Sequence, residues 1–312
     1  ENFPPLDGTT GRGEKGTSTD GYDTRSIWGR YKNNSLDTSA YTGGGVVGAW
    51  GMWNGGYIGN VSAGILIHNG NRNVRIERAE VSGFNFSGIQ VGSLSDILPT
   101  NPLQDPAARD MNISVIDCDV HDNYAAGVSI AYVDGFSMRG GVSRNNGHPN
   151  AAETDNYHDP GYGFTSRDWG AAYVARNVSI NGVQFRDNVR KGIDSHAVEN
   201  ISIVGNLVYN CWHSGIELLY STGGPSPSKY MTITGNVVEK CGFGGYGGYG
   251  GGIRVVSMDS DVIATISNNI IREIGRRGIY VERASRVAII GNVLIDVDAR
   301  APDSNIGIYI YG

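Results

Sequence analysis

Along most of the chain, apolar and polar residues alternate singly in short runs, and nine of those runs open on a glycine: GILIH at 64, GIQVG at 88, GVSIA at 127, GFTSR at 163, GIDSH at 192, GIELL at 215, GIRVV at 252, GIYVE at 278 and GIYIY at 307. A period of two residues predicts strands with one buried face. Between them recurs a second kind of segment, such as NISVIDCDV from 112, NISIVGNLV from 200 and RVAIIGNVL from 286, which reads as two short strands joined by a bend. The shortest spacings between glycine marks, 24 residues from 64 to 88 and 23 from 192 to 215, therefore hold three strands and three turns. That is one rung of a parallel β-solenoid, and the pattern predicts an all-β fold of about 9 to 11 such rungs.

An Asn falls three residues after an Ile in four segments, at Asn206, Asn236, Asn269 and Asn292. Stacked rungs would bring these into a ladder at one bend, each amide bonding the backbone above and below. Residues beyond the minimal rung have to leave the coil as loops, at 93–111, 148–162, 221–229 and 242–251. They rise from both edges of the glycine-marked sheet, which becomes the floor of a groove. Residues 1–60 show no clear repeat and are expected to be an irregular cap or a truncated start of the solenoid, followed by the solenoid domain at 61–312.

Composition narrows the function classes. With 47 Gly in 312 residues and no every-third-residue period, the glycines punctuate strands and do not build collagen. A formal net charge of −6 without a basic block argues against nucleic acid as a partner. No basic-then-apolar run occurs in the first 30 residues and no stretch reaches 18 apolar residues, so neither a secretory signal nor membrane insertion is expected. Cys118, Cys211 and Cys241 lack metal-site spacing. Cys211 and Cys241 hold matching places in LVYNC and VVEKC and read as stacked buried thiols.

Two and four residues after each glycine mark, side chains should leave the core and face the groove. Ionisable groups gather there in the central rungs: Arg167 and Asp168, Asp194 and His196, Glu217, Arg254, then Glu282. In-register neighbours place Asp194 and Glu217 roughly 5–6 Å apart. Such proximity is expected to split their pKa values, leaving one acid protonated near neutrality, the pairing that glycosidic cleavage needs. Asp168 is a third candidate acid, and His196 a base or a substrate holder. Tyr220, Trp169, Tyr162 and Tyr280 offer rings to sugars, while Arg167, Lys191 and Arg254 offer positive charge. His121, His148, His158 and His213 fall at turns or in loops and are read as incidental. No cofactor is expected; calcium among the acidic groups is an option, although no D-x-D-x-D-G spacing is present.

With these glycine-marked strands and the Asn ladder, residues 61–312 resemble the right-handed parallel β-helices of the pectate-lyase-like superfamily. The run RKGIDSHAVENISIVGN at 190–206 is similar to rungs of bacteriophage tailspike depolymerases. That likeness implies cleavage of a bacterial surface polysaccharide by hydrolysis, a homotrimer, and an extracellular place, on a virion tail or secreted. Asp194 and His196 also match the Asp-x-His rung of alginate epimerases and related lyases, which implies instead proton abstraction from a uronic-acid polymer by His196 or Lys191. Against that family's pattern, Lys191 stands where its Tyr would be, and its second Asp falls at Leu219, two residues after Glu217. A third reading is a solenoid that grips glycan without cutting it.

Overall fold

The computed structural model describes residues 63–67, 70–84, 87–92, 109–123, 125–147, 161–166, 174–196, 198–220, 229–243, 250–257, 262–297 and 306–312. The expected N-terminal segment 1–60 and most of the four expected loops lie outside them. Strands begin at Asp110, Tyr162, Lys229 and Gly251, within the last residues of those four segments.

The described residues form three parallel sheets of nine, eight and eight strands. In each sheet the neighbours are every third strand of the chain, so one rung contributes one strand to each sheet. The glycine-marked strands make the nine-stranded sheet A; the two strands of each intervening segment make sheets B and C. Eight full rungs and a ninth sheet A strand follow from this order, and no helix occurs among the described residues. The core is a stack of aliphatic layers from all three sheets. Ile89, Val128, Ile193, Ile216, Ile253 and Ile279, each one residue after a glycine mark, are fully buried in it.

The glycine mark is a packing requirement. A Cβ at Gly192 would fall on the side chain of Val208 from sheet C and 2.8 Å from the carbonyl oxygen of Gly215 on the next rung. Gly215, Gly252 and Gly278 repeat this crowding against Val238, Ile271 and Leu294. The glycine also interrupts the pleat. Its absent side chain points to the core and so does that of Ile193, which puts two consecutive positions inside and returns Lys191 to the outer face. Strict alternation would have placed Lys191 on the opposite face from Asp194.

Side-chain ladders hold the bends. Asn206, Asn236, Asn269 and Asn292 form the expected ladder: the Nδ2 of Asn236 donates to Asn269 Oδ1 at 2.9 Å, and its Oδ1 accepts from Asn206 Nδ2 at 2.9 Å. A second buried ladder, Asn123–Asn146–Asn188, stands at the entry to sheet A, with amide-to-amide distances of 3.0–3.1 Å. Its column continues through Cys211 and Cys241, both fully buried free thiols. Burial, with Cys241 beside it, pushes the Cys211 thiol well above its ordinary range. Just before this column, Asp122, Asn145, Asp187 and Asn210 turn the chain in the left-handed region at φ 52–57°, which short amide and carboxylate side chains tolerate.

Candidate functional site

The outer face of sheet A carries a column in register across consecutive rungs: Thr165, Asp194, Glu217, Arg254, Tyr280, Tyr309. The expected adjacency of Asp194 and Glu217 is therefore present. Their setting differs from the expectation in two ways. Asp194 is 0% exposed and Glu217 2%, so this part of the outer face does not meet water. Nor do the two acids share a proton. Lys191 Nζ donates to Asp194 Oδ1 and to Glu217 Oε1, at 2.8 Å each. Arg254 Nη1 donates to Glu217 Oε1 at 2.9 Å.

Charge pairing is the physical reason for both differences, since a buried carboxylate persists only when matched. Burial alone would raise the Asp194 carboxyl, but Lys191 and then His196 outweigh it and hold the group well below the usual carboxylate range. Glu217 follows the same balance: burial is opposed by Lys191, Arg254 and His213, and its carboxyl lies far below the ordinary value. Burial would lower the Lys191 ammonium, and the two carboxylates more than restore it, so Lys191 stays charged. Two ionised acids and two cations thus replace the expected acid/base pair.

His196 stands at the rim of this cluster. Its Nε2 lies 3.2 Å from Asp194 Oδ2, and 19% of its side chain is exposed where Asp194 has none. The backbone beneath is pinned from inside the coil. Ser166 and Ser195 occupy core positions that are Val91, Ile130, Leu218, Val255 and Val281 on other rungs, and their hydroxyls meet at 2.9 Å. Ser166 Oγ also accepts the backbone N–H of His196 at 3.1 Å. Polar atoms inside an aliphatic stack occur at the rungs that bear His196.

His213, read from sequence as incidental, belongs to the cluster. Its Nδ1 lies 3.0 Å from Ser214 Oγ and 3.6 Å from Glu217 Oε2, and Ser214 Oγ donates to Glu217 Oε2 at 2.9 Å. Burial pushes its pKa down to about 3, which leaves the ring neutral at pH 7. The available signal was its place two residues before a glycine mark, where Arg190 stands one rung earlier. Arg190 Nη1 donates to the hydroxyl of Tyr162 at 2.7 Å. The buried Oγ1 of Thr165 and Nε2 of His213 have no hydrogen-bond partner among the described residues. A buried polar atom left unpaired costs roughly 1–3 kcal/mol, so these positions keep polarity at the expense of packing.

Of the other expected site residues, Tyr280 lies in the column, 7% exposed, its hydroxyl donating to Glu282 Oε2 at 2.7 Å. Burial, then Glu282, pushes its phenol up to about 12. Arg167, Asp168 and Trp169 lie outside the described residues, as does the side chain of Tyr220. Among the described residues no group of three or more His, Cys, Asp or Glu side chains is arranged to hold a metal ion. None of their elements is a helix long and apolar enough to cross a membrane.

Three sheets of one-strand-per-rung connectivity define a parallel β-helix, and the chain belongs to the right-handed β-helix region family, whose model matches residues 58–262. No curated protein sequence matches it. Among solved structures, the chain is similar to the A-module of the mannuronan C-5 epimerase AlgE4 of Azotobacter vinelandii, at 13% identity and a TM-score of 0.43 over 77% of this chain and 56% of that one. It is also similar to the surface protein and adhesin PfbA of Streptococcus pneumoniae, at 9% identity and a TM-score of 0.41 over 77% of this chain and 67% of that one. The chain thus spans little more than half of the epimerase module.

Proposed function

We propose that this β-helix is a polysaccharide-active enzyme that works on a polymer of uronic acids on the outer face of sheet A, with His196 as the group that moves the proton. One observation carries the reading: His196 reaches the rim with Nε2 at 3.2 Å from Asp194, a fully buried carboxylate that Lys191 keeps ionised. An ionised carboxylate beside the imidazole gives the ring a fixed negative neighbour against which it can act as a base.

Hydrolysis by the Asp194–Glu217 pair has less support, because that chemistry requires one carboxyl to stay protonated and donate to the leaving oxygen. Lys191 and Arg254 hold both groups ionised. Removal of the proton beside a uronate carboxyl needs a base to take it and a positive charge to steady the carboxylate. It leads to elimination, in which the glycosidic C–O bond breaks and its oxygen takes a proton from the imidazolium or from water, leaving an unsaturated sugar, or to return of a proton from water on the other side, which inverts the centre. Charge on this face agrees with an anionic polymer. Among the described residues, Lys191, Arg254 and Arg277 stand on this face beside Asp194, Glu217 and Glu282, in a chain of net charge −6.

The test is a panel of uronic-acid polymers, including bacterial capsules, followed by ultraviolet absorbance of unsaturated uronates, by proton NMR for inversion, and by reducing ends. Unsaturated or inverted products are expected, and His196→Gln should lower the rate by about 10²–10⁴. Reducing ends formed without either product, or full activity in His196→Gln, would overturn the reading. A virion-tail or secreted place and a homotrimer are further proposals that stand on the tailspike resemblance alone; sedimentation of the purified chain tests the trimer.

A further inference from the structure

Three rung steps toward the C-terminus from His196, the outer face carries a second cluster. Arg277 occupies the same column as Lys191, immediately before a glycine mark. Lys191 meets two carboxylates there; Arg277 has no carboxylate partner among the described residues, and its buried Nε makes no hydrogen bond within them. Its guanidinium carbon lies 4.7 Å from the ring centroid of Tyr280 and 4.8 Å from that of Tyr309. The two rings stack with centroids 5.4 Å apart and planes 2° from parallel. Glu282, which would be the nearest candidate to neutralise Arg277 on this strand, instead accepts the Tyr280 hydroxyl.

We propose that Arg277, with Tyr280 and Tyr309, forms a subsite that takes the carboxylate of a sugar residue several units along the polymer from the one at His196. The inference rests on the uronic-acid reading of the main site and extends it. Two stacked phenol rings hold the guanidinium in place, so little side-chain freedom is lost when it pairs with a ligand carboxylate, and its planar fork matches two carboxylate oxygens at once. Rungs stack about 4.8 Å apart, so the guanidinium stands roughly 14 Å along the sheet from the His196 strand. A polymer lying across the rungs would span both points, whereas a short oligomer would reach only one.

The experiment is titration calorimetry of the full chain with hexasaccharides of mannuronate, guluronate and galacturonate, and with maltohexaose as a neutral control. Wild type should bind an anionic hexamer, and Arg277→Met should weaken that binding about tenfold or more. Arg277→Lys, which keeps the charge but not the fork, should fall between, and Tyr309→Leu should weaken binding less than Arg277→Met. Thermal midpoints confirm that each variant is folded. Equal affinity of wild type and Arg277→Met would overturn the subsite and leave the reading of His196 standing. Binding that depends on Arg277 in a protein with no turnover of any uronic polymer would support the subsite and remove the enzyme reading. No binding of any anionic hexamer, or equal binding of maltohexaose, overturns the subsite.

Discussion

Asp194 and Glu217 are register partners on adjacent rungs, and a single ammonium, Lys191 Nζ, sits 2.8 Å from an oxygen of each. Removing one member of a buried ion cluster leaves uncompensated charge, which costs about 3–5 kcal/mol. Lys191→Met should therefore lower stability by about that amount, read as the shift of the urea midpoint. Adding Asp194→Asn to Lys191→Met should recover a good part of the loss, since Glu217 and Arg254 then remain as a balanced pair. A double variant as unstable as the single one would show that Lys191 acts by packing alone.

Acid should unfold the protein in two stages. His213 titrates near 3 when folded against an ordinary 6.5. Between those values the unfolded chain binds a proton that the folded one refuses, so stability falls as pH drops below about 6.5. Asp194 and Glu217 lie below their ordinary 3.8 and 4.5 when folded. Their contribution is complete above those ordinary values and is lost as pH falls through them toward the folded ones. Urea midpoints measured from pH 7 to 3 should slope throughout this range. His213→Gln should flatten the upper stage, and Asp194→Asn with Glu217→Gln the lower.

Asn236 is fully buried and bonded to both ladder neighbours and to the Ile203 carbonyl. Asn236→Leu strands the N–H groups of Asn206 and the carbonyl of Ile203, at about 1–3 kcal/mol per orphaned group. Its thermal midpoint should drop well below that of Asn292→Leu, because Asn292 is partly open to solvent and water can replace its bonds. Equal losses at the two positions would mean that the ladder contributes shape and not hydrogen bonding.

All three thiols are buried and unbridged. A thiol-specific reagent should label none of Cys118, Cys211 and Cys241 in the native protein and all three in denaturant, because burial keeps the sulfurs out of the reagent's reach. Mass spectrometry should show no disulfide after native isolation.

The coil was legible because every rung answers to the same constraints. The glycine marks recur where sheet A passes closest to sheet C, as at Gly192 against Val208, and the Asn206–Asn292 column recurs because one bend repeats. The second Asn ladder was harder to see. It spans only Asn123, Asn146 and Asn188 before thiols take over the column, so its period is short and its chemistry changes midway.

The sequence by itself determined the repeat, the three-sheet architecture, the face on which Asp194, His196 and Glu217 gather, and the register that makes the two acids neighbours. Alternation and period carry that information locally, two residues or one rung at a time. Only the tertiary structure decided what those neighbours are. Lys191 crosses to their face because the pleat breaks at Gly192, His213 folds in from the turn, and Arg254 closes the cluster from the following rung. Protonation follows from burial and from charges brought together across rungs, and neither is a property of any stretch of chain taken alone.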